Sequence, residues 1–293
     1  MSALRSELNF LLQASRPGLW LTAIAFYMLP LGQRDVFHSA AFWLGVLYVS
    51  FPMGLLIYGW NDIVDYEADR LNPRKGTFLF GARGTPEQLR GLPLRIALVQ
   101  SPFVVAFSFL AGAKMLVVFA GIIAAAALYN WPRFNFKARP PLEMLNQAGY
   151  LFVFLLSSWM NDVPLLPWAT MLFGALFAMH SLVFGQVMDL EPDRATGRRT
   201  TATVIGRVPA KVLIVVLLLF EAGLLVRFFG AKELAAFLLV TAMWFAVDAR
   251  LIWRSRPYTN REMRFFMLAW NAIALISMPW MWSKAILLHM GRT

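Results

Sequence analysis

Apolar segments long enough to cross a lipid bilayer recur from one end of this chain to the other. A membrane-spanning α-helix needs about 20 mostly apolar residues, and nine segments of the 293-residue chain approach that length. They are 17–33, 41–61, 95–112, 114–130, 144–160, 166–188, 210–228, 233–249 and 264–286. Only 15% of the residues are charged, against about 25% in soluble proteins. The pattern predicts an all-α, polytopic membrane protein with nine transmembrane helices, forming a single intramembrane domain over residues 1–293 in the lipid bilayer.

The basic residues are distributed unequally between the loops that join these segments. If all nine segments cross the membrane, 21 of the 27 Lys and Arg residues lie on the same side as the N-terminus. Loops rich in Lys and Arg remain in the cytoplasm. We therefore expect a multi-pass protein of the cell membrane, with its N-terminus in the cytoplasm and its C-terminus on the opposite side.

The composition also excludes several classes of site and partner. The chain has no cysteine, which rules out disulfide bonds and cysteine-ligated metals. His38, His180 and His289 are scattered and lack the spacing of a metal site, so we interpret them as ordinary residues. The net charge of +11 is compatible with nucleic-acid binding, but the basic residues lie in short loops between apolar segments. We therefore expect no nucleic-acid partner.

An acidic motif occurs twice in the chain. DIVDYEADR at 62–70 aligns with QVMDLEPDR at 186–194, an offset of 124 residues, and each copy ends an apolar segment. Such self-similarity indicates two related structural units. Both copies lie on the predicted cytoplasmic side, so we expect two helical units around a central cavity that carries the motifs. Pro192 lies inside the second copy and predicts a distorted helix there.

The spacing of the acidic residues within each motif matches the turn of an α-helix. At about 100° per residue, Asp62, Asp65 and Asp69 share one helix face, and Asn61 lies at the edge of that face. The second motif repeats this spacing with Gln186, Asp189 and Asp193. The glutamates of both motifs, Glu67 and Glu191, fall on the opposite side, where we expect them to meet solvent or lipid headgroups.

Carboxylates gathered on one face near a membrane repel each other and must be neutralised. Hard Mg²⁺ prefers oxygen ligands and combines a few carboxylates with phosphate oxygens of a substrate. We therefore predict Mg²⁺ as the cofactor, with Asp62, Asp65, Asp69, Asp189 and Asp193 as its ligands. Basic residues follow both motifs and would contact the outer side of a bound diphosphate. These predicted substrate-binding residues are Arg70, Lys75, Arg194, Arg198 and Arg199.

The two motifs and three flanking segments resemble the UbiA superfamily of intramembrane prenyltransferases. The motifs are similar to that family's NDxxDxxxD, here from Asn61 to Asp69, and DxxxD, here from Asp189 to Asp193. The flanking segments are SRPGLW at 15–20, YNWPRFNFKARPP at 129–141 and DRATGRRTTATVIG at 193–206. The five features occur in the family's order, and the resemblance extends over about residues 15–290.

The resemblance implies a nine-helix fold and a transfer reaction. A prenyl diphosphate binds through Mg²⁺ between the motifs, its isoprenoid tail lies in an apolar chamber, and the allylic carbocation alkylates a nearby hydrophobic, electron-rich acceptor. The catalytic residues implied are Asp65, Asp69, Asp189, Asp193, Tyr129 and Lys137. Asn61, Arg139 and Gln186 are expected to bind substrate, although Gln186 stands where a longer acidic motif would have another aspartate.

The sequence leaves the acceptor and the donor length open. NDIVDYEADRLNPRKG at 61–76 is similar to family members that elongate lycopene, which favours a carotenoid such as lycopene. An aromatic or quinone precursor is the other acceptor class. A UbiA-type terpene cyclase, acting on the prenyl diphosphate alone, is an alternative. A non-catalytic membrane transporter or lipid-binding scaffold is a second alternative, against which the complete set of motif aspartates argues.

Overall fold

The computed structural model describes residues 2–291, and Met1, Arg292 and Thr293, the ends of the predicted domain, lie outside the described residues. The described part of the chain is all-helical, and its only β contact is an isolated bridge between Thr77 and Gly81. The predicted fold class is therefore confirmed.

The first half contains the helices α1 to α9. Their bounds are α1 Ser2–Ala14, α2 Trp20–Met28, α3 Ala40–Gly54, α4 Trp60–Val64, α5 Tyr66–Leu71, α6 Pro86–Ala111, α7 Lys114–Asn130, α8 Leu142–Leu145 and α9 Phe152–Met160. A wide π turn, Leu55–Gly59, joins α3 to α4, so the chain is helical without interruption from Ala40 to Val64. Short 3₁₀ turns lie at Pro17–Leu19, Leu29–Leu31, Phe136–Ala138 and Asn146–Leu151.

The second half contains α10 to α15. Their bounds are α10 Trp168–Met188, α11 Leu190–Ala195, α12 Thr201–Ile205, α13 Arg207–Leu224, α14 Lys232–Arg250 and α15 Asn260–Lys284. A second π turn, Leu225–Phe229, extends α13. The loops that precede α6, α12 and α15 each end in a threonine whose side chain accepts a backbone hydrogen bond in a capping box. These caps fix where the helices start.

Each of the nine predicted apolar segments coincides with helical structure. Within the described residues, five helices are long and apolar enough to cross a membrane: Ala40–Val64, Pro86–Ala111, Trp168–Met188, Arg207–Phe229 and Asn260–Lys284. The segment predicted at 144–160 is not one continuous helix, because the 3₁₀ stretch Asn146–Leu151 separates α8 from α9. The number of nine crossings stays a prediction.

Two hydrophobic cores correspond to the two related units. The first contains buried residues of the first half, from Phe10 to Met160. The second is built mainly from α10 and α13 to α15, and includes Val187, Leu218 and Met267. Large apolar side chains such as Phe109 and Ile276 are exposed on the outer helix faces. This arrangement suits a bilayer, where lipid covers those faces.

Candidate active site

Both acidic motifs interrupt their helices at the same position. The helix that contains Asn61 and Asp62 ends at Val64, and Asp65 (φ −94°, ψ 11°) precedes α5. In the second motif, α10 ends at Met188, and Asp189 (φ −94°, ψ 5°) precedes α11. The repeat that the sequence showed is thus also a repeat of backbone conformation.

These interruptions bear on two expectations about the helices of the motifs. The helix is not continuous through either motif, because each motif turns at its central aspartate, yet Asp62 and Asp69 still contact one cation, Lys75. The distortion expected within the second motif is present, three residues before Pro192. The break lies at Asp189, and Pro192 occupies the first turn of α11, where a proline's missing N–H has no helical partner to lose.

Lys75 and Arg16 hold the aspartates of the first motif. Lys75 lies in the loop after α5, and its Nζ is 2.6 Å from Asp62 Oδ1 and 2.7 Å from Asp69 Oδ2. The Arg16 guanidinium donates to Asp62 Oδ1 and to Asn61 Oδ1, both at 3.2 Å. Two cations therefore converge on Asp62, whose side chain is buried.

Basic and amide side chains also connect the two motifs directly. Arg198, which follows the second motif, lies 2.5 Å from Asp65 Oδ1 and 3.3 Å from Asp193 Oδ1. Lys137, from the loop after α7, pairs with Asp65 as well. Two residues of the first half contact the second motif. Asn72 donates to Asp189 Oδ1 at 2.9 Å, and Arg74 forms an ion pair with Asp189. Each motif is thus neutralised partly by residues from outside its own half.

The five aspartates Asp62, Asp65, Asp69, Asp189 and Asp193, here called the aspartate cluster, are unevenly neutralised. Burial raises the pKa of Asp69 to about 6, against the opposing charge of Lys75. Burial also raises the pKa of Asp193 to about 7, although Arg198 opposes it. Burial acts in the same direction on Asp65, but Lys137 and Arg198 outweigh it and hold its pKa below the usual range. The cluster can therefore accept further positive charge at Asp69 and Asp193.

A cavity of about 470 Å³ extends from the aspartate cluster between the two halves. Asp65, Asp69, Asp189 and Asp193 line one end, together with the cations that pair with them. The remainder is lined mainly by apolar and aromatic side chains, among them Phe26, Tyr58, Tyr150, Phe177 and Trp270. The cavity is therefore charged at one end and apolar beyond it, as an amphiphilic ligand requires.

The structure brings most of the predicted site residues together. Ten of them line the cavity: Asn61, Asp65, Asp69, Lys75, Tyr129, Lys137, Gln186, Asp189, Asp193 and Arg198. Asp62 does not line it but lies buried against Lys75 and Arg16. Four arginines predicted to bind substrate are exposed and do not line the cavity, namely Arg70, Arg139, Arg194 and Arg199. Arg70 pairs instead with Glu67, which is exposed as expected.

Both the nitrogen and the oxygen of the Gln186 side-chain amide have partners within the protein. Its nitrogen lies 3.4 Å from Glu143 Oε1, and its oxygen accepts the backbone N–H of Ala202 at 3.1 Å. Glu143 is fully buried and also accepts from the backbone and side chain of Thr201. Gln186 therefore anchors the segment after the second motif.

Sequence reasoning missed several residues of the site. Arg16, Asn72, Arg74 and Glu143 were not among the predicted site residues. The SRPGLW segment contained the signal for Arg16, and the NPRK run contained that for Asn72 and Arg74. No sequence signal marked Glu143, because its partners are 43 and 58 residues away.

The residues at this end of the cavity fit Mg²⁺ by their donor chemistry. The cluster offers hard carboxylate oxygens, and Asp62 Oδ2 is buried without a hydrogen-bond partner among residues 2–291. Within that same range, no group of three His, Cys, Asp or Glu side chains is arranged to hold a metal. Lys and Arg side chains pair with the carboxylates instead, so a metal would exchange with these ion pairs.

The chain matches known proteins both in sequence and in fold. Residues 18–286 match the UbiA prenyltransferase family. The lycopene elongase/hydratase of Corynebacterium glutamicum is 30% identical over 278 residues, which cover 89% of this chain and 92% of that protein. The lycopene elongase/hydratase of Haloarcula japonica is 30% identical over 207 residues, 68% of each chain.

The fold is similar to that of a solved UbiA homologue. The structure of that homologue, from Archaeoglobus fulgidus and bound to DMAPP and Mg²⁺, superposes with a TM-score of 0.68. The match covers 95% of this chain and 99% of the other at 17% sequence identity. At this identity the likeness establishes the fold.

The ion pairs of Arg198 predict an effect on stability. Arg198→Gln leaves Asp193 without its cation and removes one of two cations from Asp65. We expect the free energy of unfolding to fall by about 1.5–3 kcal/mol, the contribution of a hydrogen bond to a charged group. Thermal unfolding in detergent measures this. Arg250→Gln, at an exposed arginine that ends α14, is the control and should unfold as the wild type does. Equal melting temperatures for both variants would contradict the assignment of Arg198 as a bridge between the motifs.

Proposed function

The chain belongs to the UbiA prenyltransferase family and is a prenyltransferase, and on that premise we propose that it alkylates a carotenoid such as lycopene. The donor is a prenyl diphosphate, and Mg²⁺ bound by the aspartate cluster is the cofactor. The observation that carries the proposal is the cavity itself, because both acidic motifs converge on one end of an otherwise apolar space. A diphosphate fits the charged end, and an isoprenoid fits the remainder.

The charged end supplies groups for binding and ionising a diphosphate. Asp65, Asp69, Asp189 and Asp193 would hold Mg²⁺, which supplies positive charge where the leaving group gains negative charge. Lys75, Lys137 and Arg198 add three cationic side chains within the same end. Cations fixed in place before the reaction stabilise developing charge without reorganisation. The protein's part in this step is therefore to bind the diphosphate and orient the allylic carbon toward the apolar end.

The apolar end accommodates the carbocation and the acceptor. Phe177 and Trp270 line it and lie with ring centroids 5.4 Å apart. Aromatic ring faces attract cations and offer no strong nucleophile to compete with the acceptor. Such a lining protects an allylic cation from water until the acceptor double bond attacks it.

A carotenoid acceptor is favoured by the relatives. Proteins named lycopene elongase/hydratase match 68–89% of this chain. The longest of these alignments includes both acidic motifs. A carotenoid end group is an apolar alkene, which suits the aromatic part of the cavity. The test therefore also offers an aromatic or quinone precursor as the acceptor. It includes the donor alone to detect cyclisation.

Substitutions in the aspartate cluster test this proposal. With labelled dimethylallyl diphosphate, Mg²⁺ and lycopene, we expect the wild type to form a prenylated carotenoid, identified by mass spectrometry. Asp65→Asn and Asp189→Asn should each reduce its formation by about a hundredfold or more, because each removes a charge that positions the metal and its cationic partners.

Glu67→Gln is the matched control within the first motif. Glu67 is exposed and pairs only with Arg70 among the described residues, so this variant should keep near-normal activity. An inactive Glu67→Gln beside an active Asp65→Asn would contradict the site. If the label appears only in a product that contains no carbon from the acceptor, the protein is a cyclase.

We also propose that the aspartate cluster opens to the cytoplasm. The unequal distribution of Lys and Arg supports this orientation, which places the site where water-soluble diphosphates are made. The hairpin between α6 and α7, around Ala113, then lies on the opposite side of the membrane.

Single cysteines test this orientation without background labelling, since the chain has no cysteine. Ala195→Cys lies at the exposed end of α11, and Ala113→Cys lies in the exposed hairpin. An impermeant maleimide should label Ala113→Cys in intact cells and Ala195→Cys only after the membrane is opened. The reverse pattern would overturn the orientation.

A further inference from the structure

A buried histidine–glutamate pair lies behind the apolar part of the cavity. His180 Nδ1 of α10 is 2.6 Å from Glu221 Oε1 of α13. His180 is 5% exposed and lines the cavity, whereas Glu221 is fully buried behind it. Neither residue contacts the aspartate cluster, so the binding of a diphosphate does not account for the pair.

Ionisable groups within a membrane-spanning helix are costly and usually serve a function. Glu221 lies within Arg207–Phe229, and His180 lies within Trp168–Met188, both long enough to span the membrane. Glu221 Oε2 is buried without a hydrogen-bond partner among the described residues. A pair that served only to join two helices would have its polar atoms satisfied.

The pair occupies one of the two imidazole nitrogens, and His180 itself lines the cavity. When Nδ1–H donates to the Glu221 carboxylate, Nε2 carries no proton and can act as a base. The ring stands edge-on to Phe177, with centroids 5.0 Å apart, and to Trp270, at 6.4 Å. Among the described residues that line the cavity, His180 is the sole histidine.

His180 lies well away from the charged end. Nine residues along α10 separate it from Asp189, or about 14 Å at 1.5 Å per residue. The carboxylates that line the cavity belong to the two motifs. The aromatic part of the cavity therefore has its own base, next to the rings that would surround the prenyl group and the acceptor double bond.

We propose that His180 is the catalytic base that takes the proton released by prenyl transfer, and that Glu221 is the residue that positions it. This inference rests on the proposed function. The acceptor alkene gives its π electrons to the allylic carbon of the donor, and a C–C bond forms. The C–O bond to diphosphate breaks, and its electron pair leaves with the diphosphate. A tertiary carbocation remains on the acceptor.

One proton must leave before that carbocation becomes a neutral product. A C–H bond next to the cationic carbon gives its proton to His180 Nε2, and its electron pair forms a new C=C bond. If a water molecule adds instead, the proton lost from that water goes to the same nitrogen. The Glu221 carboxylate stabilises the imidazolium, which returns the proton to water after the product leaves.

Two single substitutions test the roles of the pair. His180→Asn removes the base and should lower kcat for the prenylated carotenoid by about a hundredfold, within the range of general-base catalysis. KM for the donor should change little, because the charged end is intact. Glu221→Gln should lower kcat about tenfold with an unchanged KM, and Glu221→Asp should restore part of that loss. A rise in KM without a loss of kcat would overturn the assignment of both roles.

A double substitution separates catalysis from folding. His180→Leu with Glu221→Leu replaces the buried pair by apolar side chains, a change that is often neutral or stabilising. We expect this variant to melt at or above the wild-type temperature, to bind a non-hydrolysable thiolodiphosphate analogue of the donor normally, and to form the prenylated carotenoid about a hundredfold more slowly than the wild type, as His180→Asn does.

The outcomes distinguish this inference from the proposed function. A double variant that prenylates the acceptor as fast as the wild type would overturn the base assignment and leave the proposed function standing. A wild type that prenylates none of the acceptors offered would overturn the proposed function, and the base assignment with it.

Discussion

Five aspartates, three of them buried, repel one another at this site, and their neutralisation determines how the two halves meet. Carboxylates gathered at the edge of a membrane are stable only when cations compensate them. Here the compensation comes from Arg16, Arg74, Lys75, Lys137 and Arg198, and the last of these contacts both motifs. Because no single segment carries both the acids and all their partners, neutralising the cluster also fixes how the two halves meet.

The same arrangement gives the cavity two ends with different chemistry. At the charged end, fixed cations and a cluster still able to accept positive charge suit a metal-bound diphosphate. Beyond it, rings such as Phe177 and Trp270 suit a carbocation and an apolar acceptor. His180 and Glu221 add a base to this second region. On the proposed function, the reaction would proceed along the length of the cavity, from the leaving group at the charged end to the proton at His180.

Sequence periodicity predicted the helical class, the apolar segments and the acidic repeat, because hydrophobic length and motif spacing are local properties. It could not predict the turns at Asp65 and Asp189, since an ideal helix was assumed through both motifs. The sequence also could not show that Arg198 lines the cavity whereas Arg199 is exposed, because the two residues are neighbours in the same loop. The pairing of His180 with Glu221, 41 residues apart, depends on how α10 packs against α13.

In the function proposed above, the aspartate cluster binds the diphosphate donor through a metal that exchanges with the Lys and Arg ion pairs. Calorimetric titration of the detergent-purified protein with dimethylallyl thiolodiphosphate, a non-hydrolysable donor, tests this directly. We expect clear binding in Mg²⁺ and an affinity weaker by about a hundredfold in excess EDTA, a difference of roughly 2.7 kcal/mol. Equal affinity with and without the metal would contradict it, because the basic side chains alone would then bind the diphosphate.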